Sequence, residues 1–258
     1  MRAGGLTVVG VGISAVSHAT VQARLAIERA DIVLTLIPDP VAELWVRSLN
    51  ASTATLSEDY LPGRDRLELY EGMAETMLTH VRQGRRVCGV AFGHPGVVAT
   101  PFHRAVERAR EEGFEAVMLP AISSLDCLFA DLGVDPARDG CSIYDATEFL
   151  ARRHRVDPTS GLVLFQIGVI GEPTVPTPGA ARGPGLTALA EALLEWYVPA
   201  HRVAAYVAAQ HVIAQPRIDW IELGQVALAT IDPVATMYVP PVRHAQPSRD
   251  DDPPPCAR

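Results

Sequence analysis

Long apolar runs are missing from this sequence, and so are paired cysteines, basic clusters and internal repeats. No stretch approaches the ~18 apolar residues that a membrane-spanning helix needs, so no membrane partner is expected. The formal net charge is −8, and Lys and Arg are not clustered. That excludes the phosphate-neutralising surface on which nucleic-acid binding depends, and it disfavours docking on anionic membranes. The four cysteines are Cys88, Cys127, Cys141 and Cys256, with no Cys-x-x-Cys pair and no histidine at ligand spacing. A metal site is therefore not expected, and free thiols in a reducing compartment are. The start, Met1-Arg2-Ala3-Gly4-Gly5, leads into an apolar run over residues 6–11 that is too short for a signal peptide, so a cytoplasmic location is expected.

What is present is an alternation of strand and helix patterns. The chain has 258 residues, of which 48% are hydrophobic and 20% charged, enough to bury the core of one large α/β domain or two smaller ones. A buried strand at residues 6–12 runs into a glycine turn. A helix over 21–30 follows, with Ser17 or Thr20 as its cap. The spacing then predicts a strand at 32–37, the turn Pro38-Asp39-Pro40 and a short helix to residue 49. Tyr70, Met73, Ala74, Met77, Leu78 and Val81 recur at helical spacing within 66–83, and Gly84 stands where a C-terminal cap belongs. A strand at 86–91, a helix at 101–112 closed by Gly113 and a strand at 115–119 complete the first half. Continuous β-branched runs between helices imply a largely parallel sheet.

Pro120 marks a boundary between a first domain, 1–119, and a second, 120–241. In the second, Ser123-Ser124-Leu125-Asp126 reads as a helix start and Gly133 as its end. An apolar strand covers 162–170, a Gly-rich loop 179–185, a helix 186–197, and strands 203–207 and 236–239. Residues 242–258 carry prolines and the run Asp250-Asp251-Asp252 without apolar periodicity, and are expected to be disordered.

Three places could carry chemistry. Gly10-Val11-Gly12 after a strand invites a dinucleotide reading, but the third glycine and the acidic residue of that fingerprint are absent. Phe92-Gly93-His94-Pro95-Gly96 follows a buried strand, where open α/β sheets bind ligands, and its glycines let backbone approach a ligand closely. A tight turn with a solvent-facing His94 reads equally well. Arg66 and Tyr70, four apart on a helix, share a face that Tyr60 could fold back over. A guanidinium beside a phenol stabilises the phenolate, which can then act as a general base. The alternative is an amphipathic helix whose tyrosine packs inward while its arginine is solvated. Gln166, an amide inside an apolar strand, must either contact a ligand or satisfy nearby backbone.

Together these segments resemble the borosin backbone α-N-methyltransferases, a branch of the tetrapyrrole methylase superfamily. The likeness runs through LTVVGVGI, the Asp39-Pro40 turn, the Tyr60–Arg66–Tyr70–Met73 spacing, GHPGV, LPAISSLDCLFADLGVDP, GCSIYDAT, LVLFQIG and ATMYVPP. It implies an α/β fold of two domains, with S-adenosylmethionine in the cleft between them, and a homodimer. Carried over by position, the loop Phe92-Gly93-His94-Pro95-Gly96-Val97-Val98 would hold the cofactor, with Ser123, Ser124, Gln166, Tyr206 and Thr236 lining the same pocket. Tyr70 would be the base, Arg66 the group stabilising its phenolate, and Tyr60 a donor to the developing oxyanion.

The resemblance also has departures. Ser57 and Phe92 stand where well-known relatives carry tyrosines. Fused relatives continue into a clasp and a C-terminal substrate peptide, whereas 17 residues follow Pro241 here. The resemblance therefore implies a separate precursor peptide as partner, modified at backbone amides during ribosomal peptide biosynthesis. A methylase of tetrapyrroles or other small molecules on the same scaffold is the alternative, and a silent protein that binds cofactor or peptide is a third reading.

Overall fold

The computed structural model describes residues 4–14, 16–58, 60–175 and 184–242. Its elements, in chain order, are β1 (Gly5–Gly10), α1 (Val21–Arg29), β2 (Ile32–Leu36), α2 (Pro40–Leu49), β3 (Thr53–Thr55), α3 (Arg66–Arg82), β4 (Arg86–Ala91), α4 (Thr100–Glu111) and β5 (Glu115–Met118). There follow α5 (Ser124–Leu132), α6 (Pro136–Asp139), β6 (Cys141–Asp145), α7 (Ala146–Ala151), β7 (Gly161–Phe165), α8 (Pro184–Leu194), β8 (Arg202–Val207), β9 (Arg217–Glu222) and β10 (Thr236–Val239).

β1–β5 form one five-stranded sheet in the order β3-β2-β4-β1-β5. Every pairing in it is parallel. Parallel strands need crossovers, and the helices that provide them cover both faces. Met73, Met77, Leu78, Phe102 and Val106 of α3 and α4 pack on one face with Leu6, Val8 and Val87. Ala23, Ile27, Ala42 and Val46 of α1 and α2 pack on the other with Val9, Val33, Cys88 and Val90.

The largely parallel pairing expected of the first half holds in the first sheet, whereas the second is mixed. Its order is β6-β7-β10-β8-β9. Only β6 and β7 run parallel; the other three pairings are antiparallel. α7 and α8 cover one face through Phe149, Leu189 and Leu193, and Leu128 of α5 packs on the other with Val163, Phe165 and Tyr206.

Local chemistry sets the element ends. Thr20, not Ser17, caps α1, its hydroxyl accepting from Ala23 N at 3.0 Å. Ser17 bonds Ser14 instead. α5 begins in a capping box, Ser123 accepting from the backbone of Leu125 and Asp126 while Asp126 accepts from Ser123 N at 2.7 Å. It ends at Gly133 in the left-handed region, φ 64°.

Three expectations change. The strand proposed for 162–170 stops at Phe165, because Gln166 adopts φ 58° and Ile167–Val169 coil into a 3-10 turn. α8 begins at Pro184, inside the Gly-rich stretch, and ends at Leu194 instead of residue 197; the rest of that loop, 176–183, lies outside the described residues, as do 243–258 of the proposed tail. The short strands β3, β6 and β9 are additional, each having too few alternating apolar positions to show a period. Among the described residues no helix is long and apolar enough to cross a membrane.

Candidate active site

The carboxyl ends of β1, β2 and β4 face the second sheet across a cavity of about 450 Å³. Ile13, Pro38, Phe92, Gly93, His94, Val97 and Val98 line it from the first half. Ser123, Ser124, Phe165, Gln166, Val207 and Thr236 are among the residues that close it from the other side. This is where an open α/β sheet leaves space for a ligand, and the volume is that of a small-molecule site.

Two glycine motifs 81 residues apart in sequence become one wall. Gly12 and Gly93 form an antiparallel bridge, with Gly93 N donating to Gly12 O at 3.0 Å and Gly12 N to Gly93 O at 3.3 Å. Both have positive φ, 73° and 72°. A Cβ on Gly10 would stand 2.0 Å from the Gly93 carbonyl oxygen. Gly10-Val11-Gly12 is thus a close-packing device for the second loop, and the absent third glycine of a dinucleotide site costs it nothing. His94 folds back within its loop, Nδ1 accepting from Gly96 N at 2.8 Å. His103 from α4 reaches the Gly96 carbonyl through Nε2 at 3.0 Å.

Opposite the loop stands the tyrosine–arginine cluster. Asp65 caps α3 by accepting from Glu68 N, so Arg66 and Tyr70 occupy its first two turns. The backbone N–H of Arg66, which has no partner within the helix, donates to Pro173 O at 2.9 Å. Gly63 N bonds Val175 O and Val175 N bonds Arg64 O, both at 2.9 Å, so the start of α3 is strapped to the second half of the chain. The Arg66 guanidinium is half-buried and its donors diverge. Nε donates to the Tyr70 hydroxyl oxygen at 3.2 Å, Nη2 to Gln166 Oε1 at 3.1 Å, and Nη1 to Glu172 O at 3.5 Å. The solvated-arginine alternative is excluded by these contacts.

Burial, and then the neighbouring Tyr70 phenol, push Tyr60 up to about 12, against the opposing pull of Arg66. Burial works against the Arg66 charge, but Tyr70, Tyr60 and Asp145 together hold it above its ordinary range. Tyr60 thus keeps its proton, and the Tyr70 oxygen accepts from a cationic donor. Tyr60 and Arg66 line the cavity and Tyr70 stands behind Arg66.

Among the described residues four non-glycine residues have positive φ, and two of them, Val98 at 51° and Gln166 at 58°, line the cavity. For a β-branched residue this is a costly conformation, held only because the surroundings over-determine it.

Other sequence-expected residues divide. Phe92, Gly93, His94, Val97, Val98, Ser124, Gln166 and Thr236 reach the cavity. Ser123 also lines it, but its hydroxyl is engaged by the cap of α5, donating to Asp126 Oδ2 at 2.7 Å. Pro95 and Gly96 do not line the cavity: Pro95 packs against Gly10, and Gly96 is bonded through N to His94 and through O to His103. Tyr206 is only 1% exposed and points away from the cavity wall into the packing of α5, its hydroxyl donating to Asp131 Oδ2 at 2.6 Å. Ile13, Pro38 and Val175 line the cavity without having been singled out in the sequence; only their places just beyond strand ends or in a loop marked them.

Residues 5–209 match the family model described as Tetrapyrrole (Corrin/Porphyrin) Methylases. The chain belongs to the tetrapyrrole methylases. Among solved structures, this methylase superposes on uroporphyrin-III-C-methyltransferase from Thermus thermophilus with a TM-score of 0.66 at 17% identity, covering 93% of each chain. It superposes on the methyltransferase CobJ with a TM-score of 0.65 at 20% identity, covering 94% of this chain and 97% of that one. Those likenesses establish the fold. Among curated proteins, it is 39% identical to the methyltransferase and ribosomally synthesized type I borosin cyclic peptide precursor of Coprinopsis marcescibilis, over 93% of this chain and 63% of that protein. It is 38% identical to the methyltransferase and omphalotin A precursor of Omphalotus olearius, over 93% of this chain and 58% of that protein. The chain thus spans about three fifths of the length of these relatives.

Proposed function

We propose that this methylase transfers methyl groups from S-adenosylmethionine to backbone amide nitrogens of a peptide. The observation that carries the reading is the Tyr60–Arg66–Tyr70 cluster, whose Tyr60 and Arg66 line the cavity and whose Tyr70 is bonded to Arg66 from behind. An amide nitrogen is a poor nucleophile because its lone pair is delocalised into the carbonyl. Methylating it requires removal of the N–H proton and stabilisation of the charge that moves onto oxygen. Tyr70, whose oxygen accepts from the Arg66 Nε–H, is proposed to take that proton. Tyr60, which keeps its own proton and lines the cavity, is proposed to donate to the developing imidate oxygen. Carbon acceptors of tetrapyrrole precursors are already electron-rich and would use neither group.

The cavity suits the cofactor. Gly93 presents backbone without a side chain, the loop is stiffened by Pro95 and by the His94–Gly96 bond, and the volume fits a nucleoside-sized ligand. Phe92 to Val98, Ser124, Gln166 and Thr236 would hold S-adenosylmethionine, which when bound supplies an electrophilic sulfonium methyl. The chain's own contribution is then to align the amide with that methyl and to exclude water, and orientation supplies much of the rate. Residues 1–119 and 120–241 are proposed as the two subdomains meeting at this cavity. By analogy with the borosin precursors the acceptor is proposed to be a ribosomally made peptide; that it is a separate molecule, and that the enzyme is a homodimer, are further parts of the proposal.

The test is tandem mass spectrometry of candidate peptides encoded beside the gene, co-expressed with the enzyme. Methyl groups on backbone nitrogens, absent with Tyr70→Phe, are the expected result. Unmodified peptides together with methyl transfer to a tetrapyrrole or another small molecule would overturn the reading and leave the fold.

A further inference from the structure

Gln166 is held in a conformation that its side-chain type does not favour. Its backbone sits at φ 58°, between Phe165, 6% exposed, and Ile167, 1% exposed. Ile167 N is tied to Ala235 O and Val169 N to Gln166 O, so the turn cannot relax without unpacking the second sheet. The strain aims one side chain at Arg66, a hundred residues away. Arginine can only donate, so the atom facing it at 3.1 Å must be the amide oxygen. The amide hydrogens of Gln166 remain for whatever occupies the cavity that it lines.

Arg66 needs such an anchor. It is half-buried, it bonds Tyr70 through Nε, and its long side chain has several rotatable bonds. Of its other two contacts, that to the Glu172 carbonyl is long at 3.5 Å. The Gln166 contact is therefore the one that fixes the plane of the fork, and with it the direction of Nε. We propose that Gln166 is a positioning residue that sets Arg66, and through Arg66 the Tyr70 oxygen, in addition to any contact it makes with cofactor. This rests on the reading that Arg66 and Tyr70 act on the acceptor amide, but its first test does not.

Crystal structures of the full-length protein without substrate are compared for wild type, Gln166→Leu and Gln166→Glu. The Arg66 guanidinium is expected to turn away from the Tyr70 oxygen in Gln166→Leu and to keep its 3.2 Å contact in Gln166→Glu, which retains an acceptor oxygen and guards against a fold defect in the leucine variant. With the peptide substrate, Gln166→Leu is expected to lower kcat about tenfold or more at saturating S-adenosylmethionine, and Gln166→Glu to keep most of it. An unmoved guanidinium, or a weakened cofactor Kd with kcat intact, would reduce Gln166 to a cofactor contact and overturn the proposal. A wild-type enzyme that methylates no backbone amide while the guanidinium still moves sinks the parent reading and leaves the positioning role standing.

Discussion

Gly12 and Gly93 hold each other's backbones in an antiparallel bridge, with N···O distances of 3.0 and 3.3 Å, and Gly10 passes directly beneath the second of them. The ligand-facing loop is therefore built on contact between two strand ends that leaves no room for a Cβ. Gly10→Ala would place that atom 2.0 Å from the Gly93 carbonyl oxygen, 2.8 Å from Ala121 Cβ and 3.0 Å from Pro95 Cδ. Since neither strand end can yield, overpacking of about 1–3 kcal/mol or more is expected. Chemical denaturation should show a lowered midpoint, and calorimetry a weakened affinity for S-adenosylmethionine.

His94 works through its ring nitrogen. Nδ1 accepts from Gly96 N, closing a local turn that an asparagine side chain can reproduce. His94→Asn is expected to keep cofactor affinity within about threefold, while His94→Ala loses on the order of tenfold, the equivalent of about one hydrogen bond. Equal losses in both variants by calorimetry would mean that the imidazole contacts the ligand directly.

The two phenols should fail differently. Tyr70→Phe removes the proposed base and is expected to slow methyl transfer by about 10²–10⁴ while cofactor binding persists. Tyr60→Phe removes a single donor and is expected to cost about 10²–10³. Single-turnover rates at saturating cofactor separate these outcomes from binding losses.

Tyr60 also has a stability signature at alkaline pH. Its folded value, about 12, lies above the ordinary 10.0. A raised value means that the folded state favours the neutral phenol, so its contribution is complete below pH 10 and is lost as pH rises from there towards 12. Burial pushes Tyr197 to about 12 as well, so the loss is shared. Thermal melts should show wild type falling more steeply over this interval than Tyr60→Phe.

On the acid side, α3 and α4 are joined by Glu71, Glu75 and Glu112 with Arg82, Arg104 and Arg108. Hydrogen bonds from Arg82 hold the Glu75 and Glu112 carboxyls below their ordinary range. Their contribution is present above the unfolded value, near 4.5, and disappears as pH falls through the lowered one. These side chains are largely exposed, so the effect is modest and salt-screened. The melting temperature at neutral pH is expected to fall by no more than a few degrees in high salt or in Arg82→Ala.

Tyr206 separates packing from ligand contact. Tyr206→Phe leaves Asp131 without its partner and is expected to cost about 1–3 kcal/mol in denaturant unfolding, with cofactor affinity unchanged. A large loss of affinity without loss of stability would return Tyr206 to the ligand site.

Much of the frame was already present in local sequence. The 3.6-residue recurrence from Tyr70 to Val81, the capping box at Ser123 and Asp126, the β-branched run of β4 and the left-handed Gly133 are all governed by contacts within a few residues. Local chemistry suffices to specify such elements, and Arg66 and Tyr70 share a face for the same reason, being four apart on one helix. What the sequence could not decide depended on distance through space. The antiparallel character of the second sheet follows from which strands meet, and β9 has no period of its own to announce it. Tyr206 has a polar tip that suits either a ligand or a buried carboxylate, and only its neighbour Asp131 decides between them. Gly12 meets Gly93, and Arg66 meets Gln166, through closure of two sheets onto one cavity. That closure is a property of packing, because the burial and hydrogen bonding that select these pairs exist only once both halves are in place.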